Sequence, residues 1–300
     1  MDFTPGESQQ AVAGLAAEVL TAADPWIQLA KAGLLSLGVM DTATLLAEIG
    51  RRTPELAMKA LATLMTGALP LARWGSSDLQ QTFLPAVASG EMVLTAAIRE
   101  APLADEAALM VIPVSDGVAL AEPADATLAP IPTSSGYSSF LVRLNQPPAR
   151  MLGGLDCLAD LEHLAVAGAC ALIDGAVAGA LALTRDHVAT RRQFGRPLAE
   201  FQAVSQQIAD VYIASRTMHL ATLSACWRLD EGRDPGADLS VAGYWCAEQA
   251  SQAVRHCHHL HGGLGMDVTY PLHRFSALVT DLTRYLGGAE YRLEHQCSLT

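Results

Sequence analysis

Residues 190–202 read TRRQFGRPLAEFQ: two arginines close an apolar helical pattern, a Gly-x-Pro turn follows, and a second helical pattern begins near Phe201. Composition alone permits two readings. In one, the arginines complement the negative end of a helix and Gly195 caps it. In the other, Arg191 presents a forked donor to a pyrophosphate while Phe194 covers an aromatic ring. The rest of the chain decides between them.

Helical periodicity extends outward from this stretch over residues 158–192, 202–229, 238–261 and 271–286, which predicts four bundle helices. The first contains a trap. Residues 164–184 are about long enough to cross a bilayer and carry one charge, Asp174. An Asp at the centre of a span costs roughly 3 kcal/mol on insertion scales. The run is also Ala- and Gly-rich, with Gly175 and Gly179 suited to close packing, so a buried helix of a protein without a membrane span is expected. Upstream, residues 92–98, 108–114, 118–121 and 138–144 are β-prone, and Ser115-Asp116-Gly117 reads as a hairpin turn. Before that, patterns over 41–49, 54–69 and 77–88 are helical, and Thr4-Pro5-Gly6-Glu7 has the form of a capping box with Pro5 at the first helical position. The expected organisation is an N-terminal helical domain at 1–91, a truncated middle β domain at 92–150 and a C-terminal helical bundle at 151–300, a mainly α fold with a small β region.

The totals agree. With 51% hydrophobic and 17% charged residues in 300, the chain can bury a large core. A net charge of −12 and no run of Lys and Arg argue against nucleic acid as a partner. The 6 cysteines form no Cys-x-x-Cys pair and several lie in apolar helical contexts, which suits free thiols in a reducing cytoplasm. The opening MDFTPGESQQ has no basic region followed by an apolar one, so no signal peptide is expected.

A second stretch, HCHHLHGGLGM at 256–266, gathers four of the 9 histidines ahead of a Gly-Gly-x-Gly turn. A metal site needs three or four convergent ligands, and no distant Cys or His pair supplies the remainder, so no metal is expected.

The string R-x-x-F-G-x-P-L-x-x-x-Q, standing here as Arg191, Phe194, Gly195, Pro197, Leu198 and Gln202, resembles the flavin-binding signature of the acyl-CoA dehydrogenase family. GSSDLQQTFLPAVASGE at 75–91 resembles that family's link from helical to β domain, and HLHGGLGM resembles its second flavin loop. The resemblance implies an N-terminal helical domain, a middle β domain and a C-terminal four-helix bundle, with FAD and acyl-CoA thioesters as ligands. Carried over residue by residue, it implies that Arg191, Phe194, Gly195, Gln202, Gly262 and Gly263 meet the ADP portion of a flavin seated mainly in the neighbouring subunit. His259 stands where the family has a glutamine, and His261 is expected to face the cofactor as well, with His256 and His258 at the surface.

Two departures matter. The family abstracts an α-proton with a glutamate close to the flavin ring, usually just after the arginine or lysine that ends the last bundle helix. Here the segment is TRYLGGAEY, and Gly287 or Gly288 occupies the place. Glu162 on the first bundle helix is the substitute candidate, about one turn from the family's alternative position near Ala165, and Glu290 is a weaker one. In addition, REAPLADEAAL follows LTAAI where the family carries a Thr-Glu-Pro-x-Ala-Gly-Ser-Asp loop and further strands around the flavin ring. The usual Gly-Gly-x-Gly loop after the first helices is absent too.

HHLHGGLGMDVTYPLHR and DLTRYLGG resemble in particular the smaller, non-catalytic subunits of actinobacterial α2β2 acyl-CoA dehydrogenases that act on steroid side chains. That resemblance implies FAD shared with a catalytic partner subunit of the same family, with the acyl-CoA substrate held mainly by the partner. Two alternatives stand beside it: a homo-oligomeric acyl-CoA dehydrogenase using Glu162 as base, and a helical scaffold that binds no flavin.

Overall fold

The longest apolar helical pattern in the chain becomes its central helix, and the other elements are arranged around it. In the computed structural model, which describes residues 3–298, the order of elements is helical, β, helical. The N-terminal unit comprises α1 (Glu7–Val19), α2 (Pro25–Lys31), α3 (Val39–Arg52), α4 (Ala57–Ala60), α5 (Leu69–Trp74) and α6 (Ser77–Ala88). Between α4 and α5 the backbone takes π-type turns over Leu61–Ala68. Pro70 follows closely, and its missing N–H fits a ladder that has already been rearranged. The β unit holds β1 (Leu94–Ala96), β2 (Ala101–Pro102), β3 (Leu109–Val114), β4 (Gly117–Ala121), β5 (Ala126–Pro130), β6 (Ser139–Leu144) and β7 (Arg150–Gly153). Then come α7 (Leu155–Thr190), a hairpin of β8 (Arg192–Gln193) and β9 (Arg196–Pro197), α8 (Gln202–Asp230), α9 (Gly236–His261), α10 (Leu272–Tyr285) and α11 (Gly288–Ser298).

The bundle of α7, α8, α9 and α10 follows the predicted spans closely. On α10 the buried set is Leu272, Phe275, Leu278, Val279, Leu282 and Tyr285, one face at helical spacing. In α7, 83% of the apolar window is buried inside the protein, so its hydrophobicity is satisfied by neighbouring helices. Glycine sets how close they come: a Cβ on Gly175 would stand 1.9 Å from the Ala47 carbonyl oxygen, and one on Gly50 2.4 Å from that of Leu172. Helices α3 and α7 therefore touch backbone to backbone, tying the N-terminal unit to the bundle. Asp160 of α7 adds a polar tie, accepting from Trp74 Nε1 at 2.7 Å and pairing with Arg73 at 2.8 Å.

The β unit is two small sheets. Strands run in the order β1-β3-β4-β7 in the first and β2-β6-β5 in the second; β1–β3 is parallel and the other pairs are antiparallel. Along β3, Leu109 and Val111 face the main core while Met110 and Ile112 join a separate small core with Ala101, Ala104 and Ala121. That alternation is the two-residue period of a strand. The β3–β4 turn lies at Ser115-Asp116 as expected, with Val114 paired to Gly117.

Two local expectations are corrected. The first helix begins at Glu7 with Gly6 as its cap, and Gln9 Oε1 accepts from the Gly6 N–H at 2.6 Å; Thr4 and Pro5 lie outside it. Gly195 does not cap α7, which ends at Thr190 with Arg191 as the capping residue. Instead Phe194 (φ 51°) and Gly195 (φ 84°) are the two central residues of the β8–β9 turn. Positive φ at both positions is the requirement of a type I′ hairpin.

Candidate functional site

At the C-terminal end of α7 the backbone is held by hydrogen bonds. The Arg191 N–H donates to His187 O at 2.8 Å, and the Leu198 N–H donates back to Arg191 O at 2.8 Å, so the hairpin is closed at its base. Arg192 Nη2 donates to Gly195 O at 3.0 Å across the turn, and the Arg196 guanidinium lies 4.0 Å over the Phe201 ring. Phe194 makes an edge contact with Phe201 at 6.2 Å, yet is 91% exposed. Arg191 and Gln202 are exposed, and among the described residues no hydrogen bond engages either side chain. A forked donor and an amide without hydrogen bonds among the described residues thus stand beside an exposed aromatic face.

The second loop joins the first through a pair of imidazoles. His187 of α7 stacks on His261 at the end of α9, ring centroids 4.4 Å apart. His261 Nδ1 donates to Cys257 O at 2.8 Å, which leaves Nε2 of the neutral ring to accept from the Tyr270 hydroxyl at 3.0 Å. Burial holds His261 below the ordinary imidazole range, with smaller contributions from His187 and His258; burial and then Arg191 do the same to His187. Beyond His261 the chain turns at Gly262 (φ 58°), and a Cβ added at Gly262 or Gly263 would meet nothing within 4 Å. That bare backbone lets a ligand approach closely.

Histidine 258 departs from the surface role expected of it. It is half-buried, with Nδ1 donating to Gly265 O at 2.9 Å and Nε2 3.0 Å from Ser276 Oγ, so it braces the glycine turn against α10. His256 is half-buried on α9, and His259 is exposed with no partner among the described residues, hence free to donate. Among the described residues no group of three His, Cys, Asp or Glu could hold a metal ion. The residues sequence reasoning missed here are His187 and Tyr270, which lie four residues before Arg191 and four after Met266; the only signal was that position one turn from each stretch.

This edge fits the ADP half of a dinucleotide. Arg191, Arg192 and Arg196 are exposed cations on a chain of net charge −12, and the glycine turn presents backbone beside them.

The expected base position is built differently. Gly287 (φ 89°) and Gly288 (φ 82°) both lie in the left-handed region between α10 and α11, and a Cβ on Gly287 would stand 2.8 Å from the Tyr291 ring. The adjoining cavity measures only about 70 Å³ and is lined by Arg99, Glu162, Ala165, Tyr291 and Arg292 among others. Arg99 lies 4.0 Å over the Tyr291 ring, and Arg292 Nε donates to Leu286 O at 2.7 Å. Ligand pockets run to roughly 300–1,000 Å³, so this space admits no acyl thioester. Glu162 reaches the rim of the cavity but is exposed, and Glu290 is exposed outside it. Nearby, Arg284 pairs with buried Glu100 at 3.1 Å, and fully buried Asp281 accepts the N–H groups of Ser134 and Ser135 at 2.8 Å each and the Ser135 hydroxyl. This network pins the loop before β6 onto α10.

Comparison with known proteins is consistent with this geometry. The acyl-CoA dehydrogenase N-terminal domain matches residues 16–91 and the acyl-CoA dehydrogenase C-terminal domain matches 159–295. The chain is 41% identical to the acyl-CoA dehydrogenase FadE28 of Mycobacterium tuberculosis over 356 positions, covering all of both chains. An alignment that long against 300 residues means that FadE28 carries segments this chain lacks. Among solved structures, a variant of the steroid ACAD Tcur3481-Tcur3483 superposes with a TM-score of 0.88 at 28% identity, covering 99% of this chain and 98% of that one. The ChsE4-ChsE5 complex from Mycobacterium tuberculosis gives 0.88 at 27%, with the same coverage. The chain belongs to the acyl-CoA dehydrogenase family.

Proposed function

We propose that this chain is the non-catalytic subunit of a heteromeric FAD-dependent acyl-CoA dehydrogenase, supplying ADP-side contacts to a flavin whose ring and catalytic base belong to a partner of the same family in an α2β2 assembly. The observation that carries it is the Gly287–Gly288 turn: no proton acceptor stands there, and Arg99, Tyr291 and Arg292 reduce the adjoining space to about 70 Å³. Solved relatives that are two-component complexes support a partner, and one of them is described as a steroid ACAD, which supports steroid side-chain CoA esters as the substrate class.

When bound, the flavin supplies the acceptor for the substrate's β-hydride. This chain's part is binding and orientation. Arg191 offers two parallel N–H donors to a pyrophosphate, Phe194 covers an aromatic ring, Gln202 and His259 donate from the flanks, and the turn at Gly262 and Gly263 admits the phosphates against backbone. Five cysteines buried as free thiols suit a reducing cytoplasm.

Purification of the chain alone and with a family partner tests the reading. Alone it should be colourless and inactive; together the two should be yellow, with one FAD per pair of unlike chains. Replacing the partner's glutamate by glutamine should abolish activity, whereas Glu162→Gln should leave it unchanged. A yellow, active single chain that Glu162→Gln inactivates would establish the homo-oligomeric alternative, and a colourless complex would establish the scaffold.

A further inference from the structure

A second space, about 490 Å³, opens between α1, α3, α7 and α8. It is separate from the hairpin edge: His219, on its wall, lies 17 residues along α8 from Gln202, about 25 Å at helical rise. It exists because Ala13, Ala43, Ala47 and Ala171 face it, where larger side chains would close it. Its volume is seven times that of the space beside Gly287 and falls within the range of ligand pockets.

The chemistry of the wall selects the ligand. Asp174 is about nine-tenths buried; its Oδ2 accepts from His219 Nδ1 at 2.8 Å, and its Oδ1 has no partner among the described residues. His219 Nε2 is likewise without a partner among them. Glu48, Asp230 and Glu231 also line the space, and among the described residues no Lys or Arg does. Arg52 pairs with Glu48 from outside the wall at 2.6 Å. Burial pushes the Cys226 thiol well up, so that part of the wall stays neutral. An acyl-CoA, with its phosphates, is repelled from such a site. A cation is attracted, and the remaining surface, with Met40, Leu223 and Trp227, is apolar.

We propose that this cavity binds an amphiphile with an ammonium head, the head donating to Asp174 Oδ1 and the apolar body lying against Met40, Leu223 and Trp227. Trp227 is the reporter. The test titrates decylamine, decanol and decanoate into the full chain, co-purified with its partner where one is needed, and follows tryptophan fluorescence, with Trp227→Phe as the control that removes the signal. Decylamine should give saturable quenching. Asp174→Asn should weaken it about tenfold or more, the loss of one charge-assisted hydrogen bond. Ala13→Phe, which fills the space from α1 without altering a polar group, should abolish it while leaving flavin content unchanged. Decanoate binding as tightly as decylamine, quenching unaffected by Ala13→Phe, or no saturable quenching would each overturn the proposal. Because Ala13→Phe keeps the Asp174–His219 pair, instability of Asp174→Asn does not blur the outcome.

Discussion

Helix α7 carries arginines and aromatic rings near both of its ends, and they are arranged in opposite ways. At its C-terminal end Arg191 makes no side-chain hydrogen bond among the described residues and Phe194 is 91% exposed. Near its N-terminal end, about 40 Å away along the helix, Arg99 packs at 4.0 Å on Tyr291 and, with Arg292, occupies the space beside Gly287. The same residue types are open for a ligand in one place and closed on each other in the other. What differs is the backbone beneath them. A type I′ turn holds Phe194 outward on a two-residue hairpin, whereas two positive-φ glycines turn α10 into α11 so that Tyr291 and Arg292 fold back over the cavity. Side chains stay open where the backbone keeps them apart.

The closed end is the more easily disrupted of the two. Asp281→Leu leaves the Ser134 and Ser135 N–H groups and the Ser135 hydroxyl without their acceptor and removes a buried carboxylate near Arg284, so a loss of about 3–5 kcal/mol is expected. Denaturant unfolding measures it; a change below about 1 kcal/mol would show that the loop before β6 does not depend on α10.

The open end should respond in ligand binding and not in folding. Arg191→Ala in the assembled complex should weaken FAD binding by about 1.5–3 kcal/mol, roughly ten- to a hundredfold, with the flavin-free melting temperature unchanged. Flavin titration by fluorescence checks it, and an unchanged affinity would remove Arg191 from the site.

Restoring a carboxylate at the closed end should fail. Gly287→Glu forces a side chain into a left-handed conformation at a cost of about 1–2 kcal/mol and drives its Cβ toward Tyr291, so it should lower stability without creating activity in the isolated chain. Acyl-CoA oxidation by that variant alone would show that the pocket opens more readily than its packing implies.

The smallest effect is on pH dependence. His187 and His261 are both held below the ordinary value of 6.5 in the folded chain, chiefly by burial. The unfolded chain therefore binds more protons than the folded one below pH 6.5, and the stability present above that value is lost as pH falls through it toward the folded values. His261→Gln should flatten the melting-temperature profile between pH 7 and 5, whereas His259→Gln, on an exposed position, should not.

Much of the fold was legible in the sequence. The bundle helices follow from apolar periodicity, which is local and repeats every few residues; the β3–β4 turn follows from Asp116-Gly117; and the lack of a proton acceptor at 287 and 288 follows from glycine having no side chain. Short or exposed elements were less legible. Helix α2 has Asp24 and Pro25 as start signals but only seven residues of pattern, and β5 is mostly exposed or half-exposed, so its alternation is faint. At the site, the motif residues were readable as types, but their states were not. His258 and His261 sit three residues apart in one motif, yet one braces the glycine turn and the other joins α9 to α7 by stacking on His187. Only tertiary structure decided that, and only it decided that Asp281 meets Ser135 across 146 residues of chain and that Arg99 reaches Tyr291. The reason is physical: backbone hydrogen bonding and local periodicity are set within a few residues, while the partner of a buried charge or ring is whatever the packing of distant segments brings within about 4 Å.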